Sequence, residues 1–168
     1  AYAWATVLER QSSTGPVGLA LTRQGVPILE GTSREGVAKG GYVLEATDGQ
    51  PDVILIGTGS ELQLAVEAKK ILAAKGITAS VVSFPCVEWF ESQPQEYRDS
   101  VLPPSVRARV SVEAGIAQGW YKFVGDAGQI VSLEHFGASA DDKTLFREFG
   151  FTPDAVAAAA ERSIAAAQ

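Results

Sequence analysis

Arg23 closes a short apolar run, Val17 to Leu21, and is preceded by Thr22 and followed by Gln24. A guanidinium at the end of a strand-like segment is placed to grip a phosphate or carboxylate. In open α/β sheets ligands gather beyond the carboxyl ends of strands, and the planar fork of N–H donors matches an oxyanion. A solvated surface arginine has the same local sequence, so both readings stand on pattern alone. The second candidate is Gly57-Thr58-Gly59-Ser60-Glu61, which follows an apolar run and opens a helix. Free N–H groups at such a helix start could hold an anion. The third glycine of a dinucleotide fingerprint is missing, however, Glu61 brings a negative charge, and no lysine follows as in a P-loop. A tight turn that lets helix and strand pack closely is the favoured reading.

The remaining reactive side chains are sparse. His135 is the only histidine, and nothing in the sequence locates a partner that would make it a general base, so a surface or capping role is expected. Cys86, the only cysteine, has no partner for a disulfide or a CxxC metal site. It reads as a small buried apolar group. Asp141-Asp142 suits the positive end of a helix, and this pair alone supplies too few oxygens for a metal.

Elements follow from periodicity. Trp4, Val7, Leu8 and Gln11 form a helical stripe over residues 1 to about 12, which Ser12 to Pro16 breaks. Val17 to Leu21 reads as a strand, and Gly25 to Gly41 as an irregular linker. Tyr42 to Glu45 is a short strand. Val53 to Ile56 has no polar alternation, as expected of a strand buried on both faces of a parallel sheet. A helix to about Lys75 follows, with Ser60 and Gln63 forming a capping box and Gly76 as its stop. Ile77 to Ser83 then completes a strand–helix–strand crossover. Pro85 and Pro94 frame an irregular aromatic segment. Arg107 to Glu113 alternates, which predicts a half-exposed strand near an edge. A short helix at Trp120 to Val124, a strand at Gln129 to Leu133 and a helix at about Ala140 to Phe149 come next. The last helix is capped by Thr152 with Pro153 at its first position and runs through alanines to Ala167.

The bulk numbers narrow the class. The chain has 168 residues, 46% hydrophobic, enough for one proper core. No apolar run approaches the roughly 20 residues that span a bilayer, and no segment has the charged-then-apolar layout of a secretory signal. Net charge is −6, so neither nucleic acid nor an anionic membrane surface is an expected partner. Cysteine usage fits a reducing, cytoplasmic setting. There is no methionine, and Ala1-Tyr2-Ala3-Trp4 lacks a helix cap; the expectation is a truncated chain.

Taken in order, several segments resemble the transketolase family. Gly15 to Gln24, with Thr22-Arg23-Gln24, is similar to the end of its pyrimidine-binding domain, and Gly40-Gly41-Tyr42-Val43-Leu44 to the start of its third domain. Ile56 to Glu61, Tyr97 to Pro103, Val112 to Gly115, Phe136 to Ala140 and Phe149 to Thr152 resemble the body of that domain. The resemblance covers essentially the whole chain. It implies a remnant of the pyrimidine-binding domain at 1–24, a linker at 25–41 and a C-terminal domain at 42–168. That domain would be a three-layer α/β fold with a mostly parallel sheet of about five strands flanked by helices, helping to build a homodimer. It also implies that the parent enzyme moves a two-carbon ketol unit between sugar phosphates with thiamine diphosphate and a divalent metal (magnesium or calcium). By the same resemblance, the groups that hold and activate the cofactor lie upstream of Ala1, so none is expected on this piece, which would be inactive alone. One substrate residue carries over, Arg23, as a ligand of the sugar phosphate. The alternatives are the terminal domain of another thiamine enzyme (a 1-deoxyxylulose-5-phosphate synthase or a 2-oxoacid decarboxylase component) and a free-standing domain that binds phosphorylated metabolites at the 57–61 turn.

Overall fold

A computed structural model describes residues 1–10 and 15–168. The part of the predicted first helix at Gln11 and the break at Ser12 to Thr14 lie outside the described residues. The helix itself, α1, spans Tyr2–Arg10. A short helix, α2 (Arg34–Ala38), stands where a linker was expected; Ser33 caps it by accepting the Gly36 N–H.

Five strands form the sheet: β1 (Tyr42–Glu45), β2 (Val53–Gly57), β3 (Ala79–Ser83), β4 (Arg109–Val112) and β5 (Gln129–Val131). Their order is β1-β3-β2-β4-β5, with β1 antiparallel to β3 and every other pair parallel. The expected mostly parallel sheet is therefore present. β2 sits at its centre with all five residues buried, because its side chains alternate between two cores. Val53 and Leu55 face a layer made by α3 (Leu62–Ala73) and α8 (Pro153–Ala167). Ile54 and Ile56 face an aromatic layer that includes Phe84, Phe90, Trp120 and Phe123. Fully burying each such aliphatic side chain contributes about 1.5–3 kcal/mol.

The helices pack by the size of their inward residues. α8 presents Val156, Ala157, Ala159, Ala160 and Ser163 to the interior. These small side chains let it lie close to both α3 and the sheet. Ser163 donates to the Ala127 carbonyl at 2.8 Å and accepts the Arg109 N–H at 2.9 Å, so the one buried hydroxyl of the helix serves β4. Thr152 caps α8 through the Ala155 N–H, with Pro153 at the first position as expected.

Four expectations are corrected. Val17 to Leu21 forms no strand; the segment is extended and exposed, Leu21 to 78%, because no described strand lies beside it to take its hydrogen bonds. The aromatic segment after Pro85 is helical: α4 (Val87–Glu91) and α5 (Gln95–Val101). Helices of five and seven residues are too short to show a repeat, and they are held by aromatic packing, with Phe84 and Phe90 centroids 4.7 Å apart. Ser60 does not cap α3. It lies in a turn of 3₁₀ helix, and Gln63 reaches back to its carbonyl at 2.9 Å.

β4 is the fourth. It lies inside the sheet, between β2 and β5. Its alternation arose from Arg109, a half-buried cation that polarity alone assigned to solvent. The Arg109 guanidinium donates to the carbonyls of Val106, Phe123, Leu102 and Pro103 at 2.8–3.1 Å. It thereby ties the loop after α5 to α6 (Tyr121–Val124).

Replacing Arg109 by Met should cost roughly 2–4 kcal/mol, since it removes the side-chain donor shared by four part-buried carbonyls. Arg109→Lys should recover less than half, lacking the planar fork. Chemical denaturation of both variants checks this; equal stability to the parent would refute it.

Candidate functional site

The carboxyl ends of β2, β4 and β5 converge on one edge of the sheet, where a parallel α/β fold places its ligands. Three glutamates sit there. Glu61 is buried at 6% exposure; it takes the Ser60 hydroxyl and, through its other oxygen, the Ala114 N–H at 3.1 Å. Glu113 accepts the indole N–H of Trp120 at 2.7 Å. Glu134 accepts the Ala117 N–H at 2.8 Å, and that bond, with help from Ser132, holds its carboxyl below the ordinary range. The three carboxylates thus anchor the 113–119 loop. In the sequence Glu61 stood out only as a charge unfavourable to an anion at the 57–61 turn, and no spacing rule distinguishes a loop anchor from a solvated glutamate.

The Gly57 to Glu61 turn is built for proximity. A Cβ on Gly57 would lie 2.7 Å from the Leu62 Cα, so glycine lets α3 start directly against the strand end. The anion nearest that helix start is the chain's own Glu61.

Arg23 lies in a bend of the irregular segment ahead of α2, and its neighbour Gln24 reaches the start of α3 at this same edge. Arg23 is exposed, and no carboxylate pairs with it among the described residues. With Gln24, Ala140, Asp142, Leu145 and Phe146 it lines a groove of about 400 Å³. A neighbouring groove of about 320 Å³ shares Gln24, Asp142 and Phe146 and reaches the first residues of α3 and α8. The wall between them is α7 (Asp142–Glu148). Asp141 caps α7 by accepting the Thr144 N–H at 3.0 Å, and the Thr144 hydroxyl and N–H hold its carboxyl below the ordinary value of 3.8.

The other sequence candidates are dispersed. His135 is exposed, its Nδ1 lies 2.7 Å from the Phe136 carbonyl, and its ring meets Phe149 edge-on at 4.9 Å. It belongs to no strand, since β5 ends at Val131. Cys86 is half-buried rather than enclosed. Its thiol lies 3.4 Å from a Glu88 carboxylate oxygen, and burial pushes it above the ordinary range. Among the described residues, no group of three or more His, Cys, Asp or Glu side chains could hold a metal ion, and the edge carboxylates are engaged by N–H and O–H donors. A metal-bound diphosphate does not fit the described residues of this chain. No helix of the described residues is long and apolar enough to cross a membrane.

Fold and edge together define a three-layer α/β domain whose ligand-facing edge carries loop anchors and one outlying guanidinium. A family model for the transketolase-like TK C-terminal domain matches residues 40–152. The chain belongs to that family. Transketolase from Mycobacterium leprae is 69% identical over 166 residues, covering 96% of this chain and 24% of that protein. The Mycobacterium bovis transketolase is 66% identical over 169 residues, covering 98% and 24%. The chain thus spans about a quarter of the length of the curated relatives it matches. A crystallised transketolase mutant from Pichia stipitis, in complex with fructose 6-phosphate, is 43% identical with a TM-score of 0.89. It covers 98% of this chain and 23% of that one.

The Asp141 cap sets a pH dependence. Because its pKa is lower folded than unfolded, the cap stabilises α7 fully above the unfolded value, and that contribution is lost as pH falls through the folded one. Amide exchange should therefore quicken in the first turn of α7 below about pH 4. In Asp141→Ala the same amides should exchange fast at every pH; slow exchange in that variant at neutral pH would contradict the assignment.

Proposed function

We propose that this chain is the C-terminal portion of a transketolase, a structural domain with a single substrate-contacting residue, Arg23. The whole protein would transfer a two-carbon ketol unit between sugar phosphates. Thiamine diphosphate and a divalent metal, magnesium or calcium, would supply that chemistry from parts of the enzyme outside this chain. In this reading residues 1–24 belong to the pyrimidine-binding domain, 25–41 connect, and 42–168 form the C-terminal domain, which contributes to a homodimer. A reducing cytoplasm suits the lone cysteine, and net charge −6 disfavours nucleic acid and anionic membranes.

The observation that carries the proposal is the match over nearly the full chain to a transketolase crystallised with a sugar phosphate. Arg23 supplies the local chemistry: an exposed guanidinium without a carboxylate partner, next to the carboxyl edge of a mostly parallel sheet. A phosphate monoester dianion is the natural occupant of such a fork. The relatives reported above are transketolases, which does not favour the other thiamine enzymes. A free-standing metabolite-binding domain at the 57–61 turn would have to displace Glu61 from the Ala114 N–H, at the cost of an unpaired buried charge.

In the full-length enzyme, Arg23→Ala should raise KM for phosphorylated sugars by about 10- to 150-fold, the loss of roughly 1.5–3 kcal/mol of charge-assisted bonding. An unchanged KM with normal thermal stability would remove Arg23 from the site. The 168-residue chain alone, given thiamine diphosphate and magnesium, should transfer no ketol units; measurable turnover would overturn the proposal.

A further inference from the structure

The groove beside Arg23 holds one carboxylate among its lining residues, Asp142. At the start of a helix an acidic residue ordinarily serves the backbone N–H groups or the helix dipole. Here the capping task is done by Asp141, which takes the Thr144 N–H. Asp142 makes no hydrogen bond or ion pair among the described residues, and it is exposed. Its position is nevertheless well determined. α7 is pinned by Phe146, which packs against the buried Phe151 with centroids 5.7 Å apart, and by the Phe151 N–H, which donates to the Phe146 carbonyl at 2.7 Å. Gln24, the neighbour of Arg23, is half-buried in the same groove. A cation on an irregular strap and a carboxylate on a fixed helix thus line one groove without forming an ion pair, and charges across such a groove act on each other through the field.

We propose that Asp142 is a charge-tuning residue for the phosphate group that Arg23 binds. The inference rests on the reading of Arg23 as a phosphate ligand. With the groove empty, the carboxylate attracts the guanidinium toward α7. When a phosphate dianion arrives, the same carboxylate repels it. Both effects oppose binding, so Asp142 sets the affinity of the fork below what Arg23 alone would give. It favours release of phosphorylated product, and it leaves the reacting end of the sugar untouched. It is not a catalytic residue. Its influence reaches only substrates that carry a phosphate.

The test uses the full-length enzyme with Asp142→Asn, which keeps the side-chain shape at the helix start. KM for phosphorylated donors should fall roughly three- to tenfold, as expected for removing one like charge from a shared, partly screened groove. KM for an unphosphorylated ketol donor should not change, and the KM for phosphorylated sugars should become more sensitive to salt. Thermal denaturation shows whether the variant is folded normally. Arg23→Ala, measured alongside, separates the two claims. If Arg23→Ala raises KM for phosphorylated sugars and Asp142→Asn leaves it unchanged or raises it, the role of Asp142 is refuted and that of Arg23 stands. If Arg23→Ala has no effect, the reading of Arg23 falls first.

Discussion

The burial of β2 on both of its faces is the constraint from which the rest of the structure follows. A strand with Val53 and Leu55 on one side and Ile54 and Ile56 on the other needs an apolar layer above and another below. Only crossover connections deliver helices to both faces of a parallel sheet. The small residues of α8 and the aromatic group around Phe84 are two answers to that one requirement. The first layer is thin and close, the second bulky. Parallel crossovers then place the carboxyl ends of β2, β4 and β5 together, which creates the edge that Gln24, beside Arg23, reaches.

That edge is where a domain of this architecture would hold reactive groups, and in this chain its polar atoms are committed to structure. Glu61 and Glu134 take backbone donors from the 113–119 loop, and Glu113, within it, takes the Trp120 indole N–H. A carboxylate that satisfies a backbone N–H has little capacity left for a metal or a diphosphate without leaving that N–H unpaired. The amino-terminal residues are fastened to the flank of the same domain. Arg10 donates to the Ala38 carbonyl and stacks 4.6 Å from the Trp89 ring, and Glu9 pairs with Arg34. Trp4 meanwhile stays 60% exposed, so α1 is held by its polar side and one aromatic stack rather than by burying its largest apolar face.

What was legible in the sequence was whatever depended on local pattern. The unalternating Val53 to Ile56 run announced a doubly buried strand, and Thr152-Pro153 announced the start of α8. Pattern failed where one side chain acted against its type. Arg109 made an interior strand look like an edge strand, because a guanidinium that satisfies carbonyls of two different segments reads in sequence as a solvated charge. Val17 to Leu21 carries the composition of a strand and has no partner among the described residues, since strand formation is a property of pairs. Ser60 and Gln63 had capping-box spacing, but the 3₁₀ turn moved the start of α3 to Leu62, beyond Ser60. Arg23 was singled out by its place after an apolar run that the structure shows to be no strand. Asp142 was read only as a helix-start charge, because the relation between a strap near residue 23 and a helix near residue 142 exists only once the chain is folded.

A guanidinium on an irregular segment carries about 2 kcal/mol of rotamer entropy, which must be given up when it clamps a phosphate. Such a residue becomes a selective ligand only if its backbone is already held. The strap around Arg23 forms no helix or strand of its own, so that restraint has to come from what it touches: the half-buried Gln24 and the α7 wall of Asp142, Leu145 and Phe146. On the proposed reading of Arg23 and Asp142, the domain bears on turnover indirectly: it fixes where the guanidinium stands, and through Asp142 how strongly that charge acts. The three-layer core is, in this sense, the rigid mount of a single arginine.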